Sequence, residues 1–282
     1  MNIHPVNQPA IIEMVKLLKL KGYSENTIKT YRNEFAQFLI ALKSYPVNNC
    51  DSKKLRSYML YCYEHLRLTE NTLHSRLNAL KFYFEQVLHR EKFFVDIPRP
   101  KKHLKLPKTI FPQDIKKMLD ATTNLKHNTM LKLCYGMGLR VSEIINIKVE
   151  DIDSQNMQVF IERGKGKKDR YVNLPQSVLE QLRTYYKEYR PKKYLFEGQD
   201  GGQYSTRSAQ QVFKTALEKA GINKSVSIHS LRHSYATHLL EQGTDIRFIQ
   251  ELLGHKNIKT TLIYTEVTNS SIRKITSPLD KL

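Results

Sequence analysis

His229, Arg232, His255 and Tyr264 carry the functional groups needed to break and remake a phosphodiester through a protein nucleophile. Arginine and histidine neutralise and protonate phosphate oxygens, and a tyrosine hydroxyl can attack phosphorus. His229 and Arg232 sit one helical turn apart, His255 follows 23 residues after Arg232, and Tyr264 another nine residues on.

With 16 tyrosines in the chain, a lone one is ordinarily structural. The helix expected over 257–265 argues otherwise. Asn257 caps it, Ile258 and Leu262 form its apolar stripe, and at about 100° per residue Tyr264 lies roughly 200° around from Leu262. That turns the hydroxyl away from the stripe, beside Thr260 and Thr261, toward a cleft. A free tyrosine, with a pKa of about 10, attacks only with positive neighbours and a proton acceptor.

Ser227 or Ser230 is expected to cap the helix that carries His229 and Arg232, whose positive end favours an anion. Leu231, Tyr235 and Leu239 form its buried stripe and leave Arg232 to point elsewhere. His229 and His233 also have the i, i+4 spacing of a metal pair, but HExxH needs a Glu between them, and no third ligand is evident. No metal is expected.

Arg140 lies between a glycine-broken helix end and a new helix start, where Gly136 and Gly138 let the backbone bend sharply. Glu143 can orient it, or the two form only a surface pair. Two arginines suit a pentavalent phosphorus, since each guanidinium grips two oxygens. The basic tip Arg163-Gly-Lys-Gly-Lys-Lys-Asp-Arg170 lacks the spacing of a nucleotide-binding loop. It is either a solvated turn or the source of a lysine that protonates a leaving oxygen. Spacing alone does not choose Lys165 over Lys167 or Lys168. Gly254 suits a helix C-cap that sends His255 toward Tyr264. Glu150-Asp-Ile-Asp153 reads as a turn before a strand, not as a carboxylate set for two metals.

The elements that must position these groups divide the 282 residues in two. Residues 10 to about 90 read as four amphipathic helices. Their stripes include Ile11, Val15 and Leu18, then Ile28, Tyr31, Phe35, Leu39 and Leu42, with a shorter helix near 54–64. A last stripe is Leu73, Leu77, Leu80, Phe84, Val87 and Leu88. The segment 96–108, with three prolines and five Lys/Arg, reads as an extended linker and a basic strap for a phosphate backbone. Arg99, Lys101, Lys102, Lys105 and Lys108 are its candidate DNA contacts. Beyond it, helices are expected at about 113–121, 125–135, 141–147, 176–189, 207–220, 230–241, 245–253 and 257–265. Residues 157–161 and 170–174 are expected to pair as a β-hairpin. The predicted domains are 1–95, a linker 96–108 and 109–282.

Composition names the partner. Forty-six Lys+Arg against 27 Asp+Glu give a net charge of +19, which points to a polyanion. Cys50, Cys62 and Cys134 form no CxxC pair and are expected to be buried thiols in a reducing cytoplasm. Neither a secretory signal nor a membrane-spanning run is evident, so a soluble cytoplasmic protein is expected.

Taken together, these motifs resemble the tyrosine recombinase (phage integrase) family. Gly138-Leu-Arg-Val-Ser-Glu143 is similar to its first arginine box and His229-Ser-Leu-Arg-His233 to its HxxR box. Leu252-Leu-Gly-His255 and Thr261-Leu-Ile-Tyr264-Thr265 resemble its final boxes. Gly164-Lys-Gly166 resembles its lysine turn, a match that prefers Lys165. The N-terminal helices, with Tyr23-Ser-Glu-Asn-Thr-Ile-Lys-Thr-Tyr31, resemble its SAM-like core-binding domain. The compact length is Xer-like. Ile272 to Leu282 resembles an integron-integrase tail, although the extra helical insert of that group is not evident.

The resemblance implies a mainly α chain with a small β-sheet: a helical core-binding bundle and a mixed α/β catalytic domain. It implies site-specific recombination of double-stranded DNA through a 3′-phosphotyrosyl bond and a Holliday junction in a homo-tetramer, without cofactor, ATP or membrane. Tyr264 is the implied nucleophile. Arg140 and Arg232 stabilise the transition state with His255, Lys165 is the general acid, and His229 accepts the tyrosine proton or orients the phosphate. The segment after Tyr264 is the implied dock for a neighbouring protomer. Rival readings are a type IB topoisomerase, which needs no strand exchange, a metal-dependent nuclease, and a DNA-binding module that needs no Tyr264.

Overall fold

Side-chain caps set the first helix boundaries. Ser24, Asp51 and Thr69 each accept a hydrogen bond from a backbone N–H in the first turn that follows. A computed structural model describes residues 2–90, 106–162, 169–266 and 279. Two compact units divide the chain, 1–104 and 105–282.

The first unit contains α1 (Gln8–Leu20), α2 (Glu25–Leu42), α3 (Ser52–Glu64) and α4 (Glu70–Lys81), which runs on as a π-helical segment Phe82–Val87. Its core joins Met14, Leu18, Phe35, Phe38, Leu77 and Tyr83. The α1 stripe is rotated from its expected line: Ala10, Met14 and Leu18 are buried, while Ile11 and Val15 are partly covered. One charge is sunk beside this core. Arg76, 5% exposed, donates to Glu34 Oε2 at 2.8 Å and lies 3.3 Å from both Cys62 Sγ and the Tyr58 hydroxyl.

In the second unit α5 (Pro112–Asp120), α6 (Leu125–Gly136) and α7 (Val141–Ile144) lead into a small antiparallel sheet. The sheet is ordered β1 (Ile152–Asp153), β2 (Gln158–Ile161), β3 (Arg170–Asn173) among the described residues. Val159 pairs with Val172 and both are buried, whereas the rings of the paired Phe160 and Tyr171 meet at a tilt on the other face. The helices α8 (Gln176–Tyr189), α9 (Thr206–Lys219), α10 (His229–Glu241), α11 (Ile246–Leu253) and α12 (Lys259–Leu262) complete the unit. A large core gathers Met130, Leu133, Val159, Phe196, Phe213 and Leu231. A small one holds Ala236, Ile249, Leu253 and Tyr264.

At Glu150–Asp153 a 3₁₀ turn, Val149–Asp151, closes where Asp151 Oδ2 accepts the Lys148 N–H, and it leads into β1. Two expectations are corrected. The last helix is four residues long, since Tyr264 and Thr265 donate to carbonyls only three residues back. Neither Ser227 nor Ser230 caps α10; Ser230 Oγ instead accepts from the Ser227 N–H ahead of it. Cys50, Cys62 and Cys134 are buried free thiols. Among the described residues no helix is long and apolar enough to cross a membrane.

Candidate active site

Gly138 takes φ +60°, a left-handed conformation, and its carbonyl accepts from Arg232 Nη1 at 2.7 Å. A Cβ there would stand 2.4 Å from Tyr235 Cδ1, so the bend lies flush against α10. Two residues on, Arg140 is the N-cap of α7, and Glu143 reaches back to it. Arg140 Nη1 donates to Glu143 Oε1 at 2.6 Å, and its backbone N–H donates to Oε2 at 2.9 Å.

Glu143 is the hub of the site. Its side chain is 3% exposed, so this is no surface pair. Arg170, the first residue of β3, grips it with Nη1 and Nη2, both at 2.9 Å. Arg232 Nη1 lies 3.7 Å from Oε2. Burial pushes the carboxyl up, but the Arg170 hydrogen bonds and charge, then Arg140, outweigh it and hold Glu143 at about 2. Arg170 also donates through Nε to the Leu252 carbonyl at 3.1 Å, which ties the hairpin to the end of α11.

Arg232 is buried, at 4% exposure. Its Nη2 donates to the Leu253 carbonyl at 2.6 Å and lies 3.1 Å from His255 Nε2. Gly254, at φ +62°, ends α11 and releases His255 toward it. The other nitrogen, His255 Nδ1, sits 3.0 Å from Thr261 Oγ1. Burial, then Arg232 and Arg140, lower His255 to about 4, so its ring is neutral at pH 7.

Tyr264 departs furthest from expectation. It is 1% exposed, while Leu262, the expected stripe residue, is 42% exposed and Thr261 is buried. The tight turn after α12 swings the ring inward among Ala236, Ile249 and Leu253. Its hydroxyl lies 3.0 Å from His233 Nδ1, with the two ring centres 5.8 Å apart. Burial raises Tyr264 above the ordinary tyrosine value, against the lowering pull of Arg232 and Arg140. Burial, then His229 and Arg232, lower His233 to about 4.

Arg140, Arg232, His255 and Tyr264 are thus gathered around one centre, where two guanidinium groups and a neutral imidazole could grip a phosphate beside the tyrosine. His229 is the exposed first residue of α10. Lys165, Arg99, Lys101, Lys102 and Lys105 lie outside the described residues, as does the tail resemblance over 272–282 apart from Leu279. Lys108 donates from Nζ to the Ser225 carbonyl at 2.8 Å. Sequence reasoning missed Arg170, the buried hub role of Glu143, and His233 as the tyrosine's neighbour. The i, i+4 pairing of His229 and His233 was the signal for the last, but it pointed to metal.

The chain matches the Phage integrase family over residues 108–271 and the N-terminal SAM-like domain of phage integrases over 12–92. It is 35% identical to the tyrosine recombinase XerA of Pyrococcus horikoshii, across 95% of this chain and 93% of that protein. It is 30% identical to the tyrosine recombinase XerC of Staphylococcus saprophyticus, across 95% of each. Its fold is shared with the crystal structure of the XerH site-specific recombinase bound to difH substrate. That likeness has a TM-score of 0.74 at 19% identity and covers 97% of this chain and 96% of the other. The protein belongs to the phage integrase family and is a tyrosine recombinase of the Xer type.

Proposed function

We propose that this site-specific recombinase cuts and rejoins double-stranded DNA with Tyr264 as nucleophile. The observation that carries the reading is the convergence of Arg140, Arg232 and His255 beside the tyrosine. The Tyr264 oxygen attacks the scissile phosphorus, the bond to the 5′ oxygen breaks, and a 3′-phosphotyrosyl link forms. Arg140 and Arg232 neutralise the charge that builds on the non-bridging oxygens. His255 assists them, its Nε2 lying 3.1 Å from Arg232 Nη2. Lys165 protonates the leaving 5′ oxygen. Because the bond energy stays in the protein link, a 5′ hydroxyl can reverse the step on a new partner strand without ATP.

The surrounding assembly follows from the same reading. The domains are a core-binding unit over 1–95, a linker over 96–108 and a catalytic unit over 109–282. Arg99, Lys101, Lys102 and Lys105 lie along the phosphate backbone, supported by the excess of basic residues. A homo-tetramer exchanges strands in pairs through a Holliday junction. The buried free cysteines support a cytoplasmic setting.

Duplexes selected by binding from a randomised pool, nicked near the cleavage point and incubated in EDTA, test the nucleophile. A covalent adduct is expected with the wild-type chain and none with Tyr264→Phe, which still binds the duplex. An adduct that persists in Tyr264→Phe would refute the assignment. Strand exchange between two such sites separates recombination from topoisomerase-like nicking and rejoining.

A further inference from the structure

We propose that a cavity between the start of α6 and one face of α9 binds a nucleoside monophosphate. Its volume is about 280 Å³, at the lower end of the range for small-molecule sites. Val212 and Ala216 form an apolar floor, and the rings of Tyr204 and His127 stand at the side. None of Arg140, Arg232, His255 and Tyr264 lines it, and no lining residue is acidic.

The α9 face is built by spacing. Ser208, Val212 and Ala216 recur every fourth residue, as do Gln211, Thr215 and Lys219 beside them. The first row is mostly apolar and the second polar, so one side of the cavity is dry and the other can bond a ligand. Across it, the Tyr204 hydroxyl lies 3.4 Å from His127 Nε2, and Lys126 Nζ sits 5.0 Å from the Tyr204 ring centre. A flat heterocycle suits such rings. Asn124 Oδ1 accepts the His127 N–H at 3.0 Å, which leaves Nδ2 as a donor to a ligand. Gln211 Nε2 donates to Thr215 Oγ1 at 3.3 Å, which leaves Oε1 as an acceptor. One donor and one acceptor match the mixed edge of a base.

Charge supplies the other half of the ligand. Burial, then Lys126 and Lys219, push His127 below the ordinary histidine value. Burial lowers Lys126 too, with Glu197 opposing it. Cationic groups are therefore crowded around a space whose lining holds no carboxylate. A phosphate relieves that crowding. A simple anion would leave the apolar floor unused, and a neutral heterocycle would leave the cations unused. A nucleoside monophosphate uses both.

Nuclear magnetic resonance of the full-length protein, labelled with carbon-13 at histidine Cε1 and free of DNA, tests the site. The 2′-deoxynucleoside 5′-monophosphates are added in turn. The His127 signal, identified by its loss in His127→Gln, is expected to shift with at least one of them. Its titration midpoint should move up, because a nearby anion favours the imidazolium. The matching nucleoside, which lacks the phosphate, and inorganic phosphate, which lacks the base, should each bind roughly tenfold more weakly or worse. Lys219→Gln, an exposed change, should weaken the monophosphate roughly tenfold, while Tyr264→Phe binds it as the wild-type chain does. No shift of His127 with any monophosphate would overturn the proposal. So would shifts confined to His255, which place the phosphate among the catalytic arginines, or full affinity in Lys219→Gln. An adduct that survives Tyr264→Phe would strike at the nucleophile and leave this site untouched.

Discussion

Glu143→Gln isolates the electrostatics of the site in a single, nearly isosteric change. The carboxyl stands at about 2 in the folded chain against an ordinary 4.5. At about 1.4 kcal/mol per tenfold difference in proton affinity, that gap corresponds to about 3 kcal/mol of stability at pH 7. A depressed folded pKa gives stability that is fully present above the unfolded value and lost as pH falls toward the folded one. The wild-type advantage over Glu143→Gln should therefore be about 3 kcal/mol at pH 7 and shrink to about 1 kcal/mol by pH 3. Gln keeps the shape but aims an amide N–H₂ at a guanidinium. The chain has no tryptophan, so urea unfolding followed by far-UV circular dichroism is the suitable assay. Taking the difference between the two proteins at each pH cancels other titrating groups. A gap that stays constant from pH 7 to pH 3 would show that packing, and not the carboxylate charge, holds the three arginines.

Gly138→Ala should lower stability by about 3 kcal/mol, because it combines a strained φ with a Cβ 2.4 Å from Tyr235. Gly22→Ala, with φ +67° but open space around it, should cost only about 1 kcal/mol in the same urea unfolding. Equal losses would remove the packing part of the argument. Arg76→Ala leaves Glu34 without its partner and should destabilise the N-terminal helices by about 3 kcal/mol. Hydrogen exchange that is unchanged across α2 and α4 would refute it.

Much of the helical frame was legible because its signals are local. Ser24 and Thr69 cap where the apolar periods of α2 and α4 begin. The alternation around Val159 and Val172 marked β2 and β3. β1, at two residues, is too short to show a period. At Tyr264 the helical-wheel argument failed because the wheel presumed a helix that ends at Leu262. The positions of the arginine, histidine and tyrosine motifs were readable from spacing, but their burial was not. The Glu143 hub joins residues 27 and 89 positions apart, which no local pattern reveals. Arg170 read simply as the start of a strand.

Three guanidinium groups converge on one carboxylate, so the folded site carries a surplus of positive charge. Burial and then Arg140 push Arg232 down to about 9, which marks a cation held against repulsion. Folding thus stores electrostatic stress at the place where an anion is to sit. A ligand that binds only the folded chain raises its stability by mass action. Here an arriving phosphate also discharges that stress, so free energy forgone in folding reappears as affinity. Substitutions that make the empty site more comfortable should make the chain sturdier and its grip on DNA weaker. Stability and catalysis pull on the same three side chains in opposite directions.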